Sequence, residues 1–253
     1  MLDKVKQNKI SQLYGAGIVL YIVLIILALV NMSQTSFNVT TNYLTSNDLA
    51  SQSSTVFAPA TSTLWVLQYR YLLVALLILS LVVPGLYIFW IKTGKNNIDF
   101  HKARWIDCVI TSVFLMLTIT LLSSLQDMMS LILVAGLVVV GSCLFWIATH
   151  QYGLNKSIYN KTFTLGIISI VLPWLLIALY TSGTWVYGNV RSPWYTYALA
   201  ILGVFNTAII IYGPLWYHTR KSKKEVLSGE VYPIMINQFV KLMFALILII
   251  GIR

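Results

Sequence analysis

Lys241 is a charged residue in the middle of an apolar segment, Tyr232–Ile252, and is the first candidate for chemistry. A lysine at such depth in a membrane-spanning helix costs at least about 2.5–3.5 kcal/mol, so its presence requires an explanation. Its stem covers only part of the roughly 13 Å to the end of the segment, so the amine does not reach water by extending along the helix. An amine in an apolar pocket favours Schiff-base formation with a carbonyl compound, and a purely structural lysine is the alternative.

Asp107 is the second candidate, an acid near the start of the third apolar segment. An acid in the first turn also complements the helix dipole, so a structural role remains open. At 1.5 Å per residue, Asp107 lies about 6 Å into its helix and Lys241 about 13 Å into the last helix. Both helices enter the membrane from the same side, because the chain direction alternates along the bundle. A lysine side chain covers most of the difference in depth, so we expect these two groups to pair.

Four polar residues accompany this pair at helical spacing. They are Arg104, Asn237, Thr111 and Ser112, each about one helical turn from Asp107 or Lys241. Arg104 shares a helix face with Asp107 and Asn237 shares one with Lys241, whereas Thr111 and Ser112 lie one turn beyond Asp107. The three uncharged groups can hydrogen-bond a buried cation and its carboxylate, although each alone also fits ordinary packing. Arg104 adds a cation between the carboxylate and the nearer membrane surface.

The composition places these groups in lipid. Of 253 residues, 58% are hydrophobic and 9% are charged, and a water-soluble domain of that composition could not cover its surface with polar groups. A spanning helix needs roughly 20 mostly apolar residues. We predict spans at Tyr14–Asn31, Tyr69–Ile91, Arg104–Ser124, Met128–Thr149, Phe163–Thr181, Trp194–Tyr217 and Tyr232–Ile252. The predicted fold is therefore an all-α seven-helix membrane bundle, one domain over residues 1–253, with no separate soluble domain.

Neither disulfide nor metal chemistry is predicted. Cys108 and Cys143 fall inside apolar segments, which indicates small core residues rather than a disulfide framework. His101, His150 and His218 fall at the ends of spans. We expect them to be solvated, and a metal site built from all three is the weaker alternative.

The basic residues indicate the orientation of the bundle. Thirteen Lys and Arg residues fall on the side of the N-terminus, and three fall on the other side, Arg70, Arg191 and Arg253. The positive-inside rule then predicts a cytoplasmic N-terminus and an extracellular C-terminus. The net charge of +10 follows this membrane pattern and does not indicate nucleic-acid binding. The long connection Met32–Gln68 lies outside, and its length predicts structure of its own, such as a short β-hairpin.

The residues around the candidate pair resemble those of the heliorhodopsin family, over nearly the whole chain. The similar motifs are Arg104-Trp105-Ile106-Asp107, Phe163 and Gly166 followed by Pro173-Trp174, Phe205-Asn206, Gly229-Glu230-Val231-Tyr232 before Lys241, and the outer-loop motifs Asn42-Tyr43-Leu44 and Phe57-Ala58-Pro59. Heliorhodopsins are seven-helix retinal proteins whose membrane orientation is opposite to that of other microbial rhodopsins. The distribution of basic residues predicts the same orientation independently.

The resemblance implies a cofactor and a set of roles. All-trans retinal is expected on Lys241 as a protonated Schiff base, with Asp107 as its counterion. The implied retinal pocket contains Leu115, Gly136, Gly141, Pro173, Trp174, Phe205 and Asn206. Asp107 stands where the family usually has Glu, and Asn237 where Ser is usual. Near the expected retinal ring the Asn and Met of the family are missing, and Gly141 is expected to widen that end of the pocket.

Three functions from different classes remain open. The resemblance implies a light sensor in the cell membrane, not an enzyme, which signals to a cytoplasmic or membrane partner. Small and aromatic residues in the apolar segments favour a homodimer in the lipid bilayer. A light-driven ion transporter or light-gated proton channel is the alternative. A proton path requires relay groups on both sides of the Schiff base, and of the seven acids only Asp107 lies within the predicted helical core. The third possibility is a transporter or scaffold without light chemistry, in which Lys241 and Asp107 are a structural pair.

Overall fold

The computed structural model of the chain describes residues 4–46, 57–93, 100–151, 154–187, 193–219 and 226–253. Within these residues there are seven α-helices and two β-strands. The helices are α1 (Lys4–Asn31), α2 (Tyr69–Thr93), α3 (Phe100–Leu122), α4 (Met128–Gln151), α5 (Lys156–Tyr187), α6 (Trp194–Thr219) and α7 (Val226–Gly251). The strands are β1 (Ser36–Ser46) and β2 (Phe57–Gln68), both between α1 and α2.

Each predicted span coincides with one helix, and the differences lie at the ends. α5 begins at Lys156, well before the predicted Phe163, because its first turns are polar and hydropathy does not detect them. The side chain of Asn155 caps that start by accepting hydrogen bonds from the backbone N–H groups of Ser157 and Ile158, at 3.1 and 3.2 Å. α3 ends at Leu122 rather than Ser124, where the backbone has turned to a φ of 66°.

The helices are those of a membrane bundle. In the described part of the chain, six helices are long and apolar enough to cross a membrane, and α7 contributes the shorter apolar helix Met235–Gly251. Large aliphatic side chains remain exposed around the bundle, such as Val30 at 74%, Ile201 at 73% and Leu179 at 69%. A water-soluble protein rarely exposes so much contiguous apolar surface, so lipid is the solvent of these faces.

The core of the bundle is centred on α3. Half of the apolar window of α3 is buried, against 33% or less in the other five spanning helices. The largest fully buried apolar side chains come from several helices that pack together: Tyr21, Leu24, Leu73, Leu76, Leu77, Leu115, Ile119, Leu199 and Phe244. Polar groups on α3 are therefore enclosed by other helices.

The connection between α1 and α2 forms a two-stranded antiparallel sheet at one end of the bundle. β1 and β2 pair from Ser36↔Gln68 to Ser46↔Phe57, with an irregularity between Val39 and Thr40. The residues between the strands, 47–56, lie outside the described residues. β2 continues directly into α2, where the rings of Phe37 and Tyr69 are 4.7 Å apart.

Asp127 ties this sheet to the corner between α3 and α4. Its Oδ1 accepts a hydrogen bond from Asn42 Nδ2 at 3.2 Å, and its Oδ2 accepts one from the backbone N–H of Ser130 at 3.0 Å, which caps α4. The N–H of Thr40 donates to the carbonyl of Gln126 at 2.9 Å. One acid therefore both begins a helix and fixes the sheet on the end of the bundle.

Cys143 corrects one expectation from the sequence. It lies on the exposed face of α4, not in the core, whereas Cys108 is half-buried on α3. α4 is apolar all round, so its sequence does not indicate which side faces the protein.

Candidate functional site

Lys241 points into the bundle because it lies on the core-facing stripe of α7. Asn237, Val240, Phe244 and Leu248 are buried on the same stripe, at the spacing of three and four residues that defines one helical face. Lys241 itself is fully buried, with 0% of its surface exposed. A lysine in this position needs an internal partner, because its amine is closed off from bulk solvent.

The partner of Lys241 is Asp107. The Nζ atom lies 2.6 Å from Asp107 Oδ1, and the acid is only 5% exposed. Depth along α3 and α7 predicts this pairing from the sequence, and the structure brings the two residues into contact. A charge-assisted hydrogen bond between desolvated groups compensates much of the cost of burying each charge.

The second carboxylate oxygen of Asp107 has its own donor. Asn237, one turn before Lys241 on α7, donates from Nδ2 to Asp107 Oδ2 at 2.7 Å. Thr111 does not bind the carboxylate. Its hydroxyl donates to the backbone carbonyl of Asp107 at 2.8 Å. The carboxylate of α3 is thus held by two side chains of α7, one on each oxygen.

Asn237 also carries an unused acceptor in this site. Its Oδ1 atom is buried and accepts no hydrogen bond from the described residues. Buried polar atoms are nearly always hydrogen-bonded, so an acceptor of this kind indicates room for a donor that the side chains do not provide.

Ser112 faces a different helix from Asp107. Its hydroxyl donates to the carbonyl of Cys108 at 2.8 Å and accepts a hydrogen bond from Asn206 Nδ2 at 2.7 Å. The sequence places Ser112 around the charged pair, but the structure joins it to α6 instead. Asn206, predicted as a pocket residue, is buried at 3% exposure and is brought to α3 by this bond.

Trp174 lies between α5 and α6. Its Nε1 donates to Thr207 Oγ1 at 3.1 Å. A Cβ added at Gly203 would come within 2.8 Å of both the Trp174 ring and Ile119 Cδ1, so only glycine lets the ring lie so close to α6. Pro173 beside it and Leu115 on α3 are both buried.

The two predicted glycines of α4 have different surroundings. Gly141 is buried, and a Cβ there would be 2.5 Å from Ile170 Cγ1, so this glycine brings α4 close to α5. Its role in the structure is close packing, in contrast to the wider pocket end expected from the sequence. Gly136 is exposed, with nothing within 4 Å of an added Cβ, and the structure does not bring it to the site.

Other predicted residues lie away from the pair or outside the described side chains. Phe205 is 48% exposed, because its neighbour Asn206 points inward and successive helical residues point in different directions. His150 is exposed, with Nδ1 at 2.9 Å from the carbonyl of Trp146. The side chains of Arg104, His101 and His218 lie outside the described residues.

Two residues at the site were not predicted from the sequence. Tyr21 of α1 is fully buried, and the Lys241 Nζ atom lies over its ring, 5.6 Å from the centroid. The Tyr21 hydroxyl donates to Oε1 of Gln238, which is next to Asn237 on α7. A tyrosine in an apolar helix resembles any core aromatic residue, but a second amide beside Asn237 is unusual in lipid and could have indicated a partner on another helix.

The chain matches a known protein family over most of its length. The model of the heliorhodopsin family matches residues 12–252, nearly the whole chain. A search among curated proteins found no match.

Proposed function

Because the chain belongs to the heliorhodopsin family, we propose that Lys241 carries all-trans retinal through a protonated Schiff base, with Asp107 as its counterion. Membership makes this a membrane-embedded retinal photoreceptor related to microbial rhodopsins, with retinal bound to a lysine. When bound, retinal supplies absorption of light and isomerisation about a double bond. Attachment condenses its aldehyde with the lysine amine, which forms a C=N bond and releases water.

The burial of Lys241 is the observation that carries the assignment. Among the lysines whose side chains are described, Lys156 and Lys161 are exposed, and only Lys241 is enclosed in the bundle. Its amine lies beside one acid, at 2.6 Å from Asp107 Oδ1. Enclosure keeps bulk water from hydrolysing a C=N bond, and the neighbouring carboxylate favours its positively charged form.

The residues around this amine fit a bound retinal. The unused Oδ1 of Asn237 offers a buried hydrogen-bond acceptor one helical turn from Lys241. Farther along the bundle, Gly203 lets the flat ring of Trp174 pack against α6, and aromatic rings of this kind line apolar ligand sites. Leu115 adds a buried aliphatic side chain one turn after Thr111. These groups would line the apolar chain of retinal without adding charge.

We also propose the orientation that the charges predict, with the N-terminus in the cytoplasm. The N–H of Ser33 donates to the carbonyl of Ile252 at 3.0 Å, and Thr40 bonds Gln126, so the end of α1, the sheet and the C-terminus share one end of the bundle. Of the basic residues assigned to that side, the described ones are Arg70 and Arg253. The sparsely charged end is the extracellular one under the positive-inside rule.

The distribution of acids supports sensing over proton transport. Asp107 and Asp127 are the acids whose side chains are described, and Asp127 lies at the sheet end, bonded to Asn42 and Ser130. Between them α3 presents buried Leu115, Ile119 and Leu121. These apolar residues separate Asp107 from Asp127, the second described carboxylate. A proton that leaves the nitrogen toward Asp107 therefore meets no relay group along this part of α3, and it returns from the side to which it left.

Two measurements test this proposal. The purified protein supplied with all-trans retinal should acquire a visible absorption band that bleaches with hydroxylamine, and no band would contradict retinal binding. Under voltage clamp, illumination should produce no sustained photocurrent. A retinal-dependent current that persists in the light, or a light-induced pH change abolished by a protonophore, would favour the channel or pump instead.

A further inference from the structure

We propose that Tyr21 is a positioning residue for the Lys241 nitrogen: the face of its ring holds the charge against Asp107 and shields it, and so sets the colour of the pigment. This inference rests on the proposed function, because it concerns the same nitrogen. It adds α1 to a site that otherwise consists of α3 and α7.

The geometry gives the Lys241 amine two different partners. Asp107 Oδ1 lies 2.6 Å from Nζ, and Nζ also lies over the face of the Tyr21 ring, 5.6 Å from its centroid. A cation within about 6 Å over an aromatic face is attracted by the negative charge of that face. Both Tyr21 and Lys241 are 0% exposed, so water does not weaken this attraction.

The ring of Tyr21 is fixed at its far end. Its hydroxyl donates to Gln238 Oε1, and Gln238 lies three residues before Lys241 on α7. Gly17 lies one turn before Tyr21 on α1, and a Cβ there would be 3.0 Å from the same Gln238 oxygen. The glycine leaves space for the amide, and the amide in turn holds the phenol. Tyr21 and Lys241 are therefore coupled through one residue of α7.

This arrangement has consequences that a merely packed tyrosine would not have. In the ground state of a retinal pigment the positive charge is concentrated at the nitrogen, and on excitation it moves along the polyene. The ring face stabilises the charge at the nitrogen, so it lowers the ground state more than the excited state. Removal of the ring should shift absorption to longer wavelength, and it should also open one side of the nitrogen to small nucleophiles.

The experiment compares three variants of the full chain. Tyr21→Leu removes the ring, Tyr21→Phe keeps the ring and removes the hydroxyl, and Tyr69→Leu is the matched control. Tyr69 is also a buried tyrosine, at 6% exposure, but it packs against Phe37 at the sheet end. Each protein is measured for its absorption maximum, for its rate of bleaching by hydroxylamine in the dark, and for thermal unfolding without retinal.

Tyr21→Leu should absorb at longer wavelength and bleach faster, by up to about thirtyfold if the lost attraction is that of a desolvated cation–π pair. Tyr21→Phe should keep the parental absorption maximum. Tyr69→Leu should change neither optical property, even where it lowers the unfolding temperature as much as Tyr21→Leu does. If Tyr21→Leu does not fold, Tyr21→Met fills the space with a flexible apolar chain and has the same expected result.

Two outcomes overturn the inference by itself. One is a parental spectrum and bleaching rate in Tyr21→Leu or Tyr21→Met, and the other is an equal red shift in Tyr21→Phe, which would assign the effect to the hydroxyl. A parent protein that forms no pigment overturns the proposed function, and this inference with it. The parent spectrum therefore distinguishes the two failures.

Discussion

Asn237 Nδ2 donates to Asp107 Oδ2 at 2.7 Å, from a position one helical turn before Lys241, whose amine binds the other oxygen of the same carboxylate. Two side chains on adjacent turns of α7 thus hydrogen-bond the same carboxylate of α3. The amide fixes the orientation of the carboxylate and leaves the lysine to balance its charge. Each of these contacts can be removed separately.

Asn237→Leu should loosen the carboxylate without removing any charge. It leaves Asp107 Oδ2 buried without its donor, which costs about 1–3 kcal/mol of stability. The pigment should still form, with a spectral shift smaller than that of any change at Asp107 itself. Asn237→Ser is the matched control, because it keeps a hydrogen-bonding group. Chemical denaturation and the absorption maximum measure the two effects, and a Leu variant as stable as the Ser variant would contradict them.

Asp107→Asn should have the larger effect, because it removes the negative charge. Breaking a buried ion pair by removing one partner costs about 3–5 kcal/mol. In the pigment, the variant should either absorb at longer wavelength or lose its visible band at neutral pH through deprotonation of the nitrogen. Asp107→Glu keeps the charge and should retain a visible pigment. An unchanged spectrum in Asp107→Asn would assign the counterion to another group.

Gly203→Ala should disturb the ring of Trp174. The added Cβ would meet Trp174 and Ile119 at 2.8 Å, and overpacking of this kind typically costs about 1–3 kcal/mol. The variant should unfold at lower temperature and form pigment more slowly. Gly136→Ala is the control, since it has open space and should be neutral or slightly stabilising. If the two variants had the same unfolding temperature and the same rate of pigment formation, the assignment of Trp174 and Gly203 to the retinal pocket would be wrong.

The sequence predicts the helices and the charged pair because both follow from the high free-energy cost of placing charge in lipid. Lipid excludes charge, so apolar segments mark the helices, and a lysine within one of them requires an acid at matching depth. Ser112 and Gly136 depend instead on helix rotation, which hydropathy does not determine in helices apolar on several sides. Ser112 bonds Asn206 on α6, and Gly136 faces outward. Tyr21 was missed for a related reason. Its contacts with Lys241 and Gln238 depend on how α1 packs against α7, and the sequence does not show this packing.

An epitope tag at the N-terminus should be inaccessible from outside intact cells. The positive-inside rule assigns thirteen basic residues to that side and three to the other. Antibody labelling before and after permeabilisation measures the orientation, with a tag at the C-terminus as the control. A tag at the N-terminus that labels without permeabilisation would reverse the orientation.

The attachment of retinal to Lys241 is the central claim, and borohydride reduction of the pigment tests it most directly. Reduction converts the C=N bond to a stable amine, so the retinyl group remains on its residue through proteolysis and is located by mass spectrometry. We expect one retinyl group, on the peptide that contains Lys241, and a Lys241→Ala variant that is expressed but remains colourless and unlabelled. A retinyl group on a different lysine, or a visible pigment in Lys241→Ala, would contradict the account.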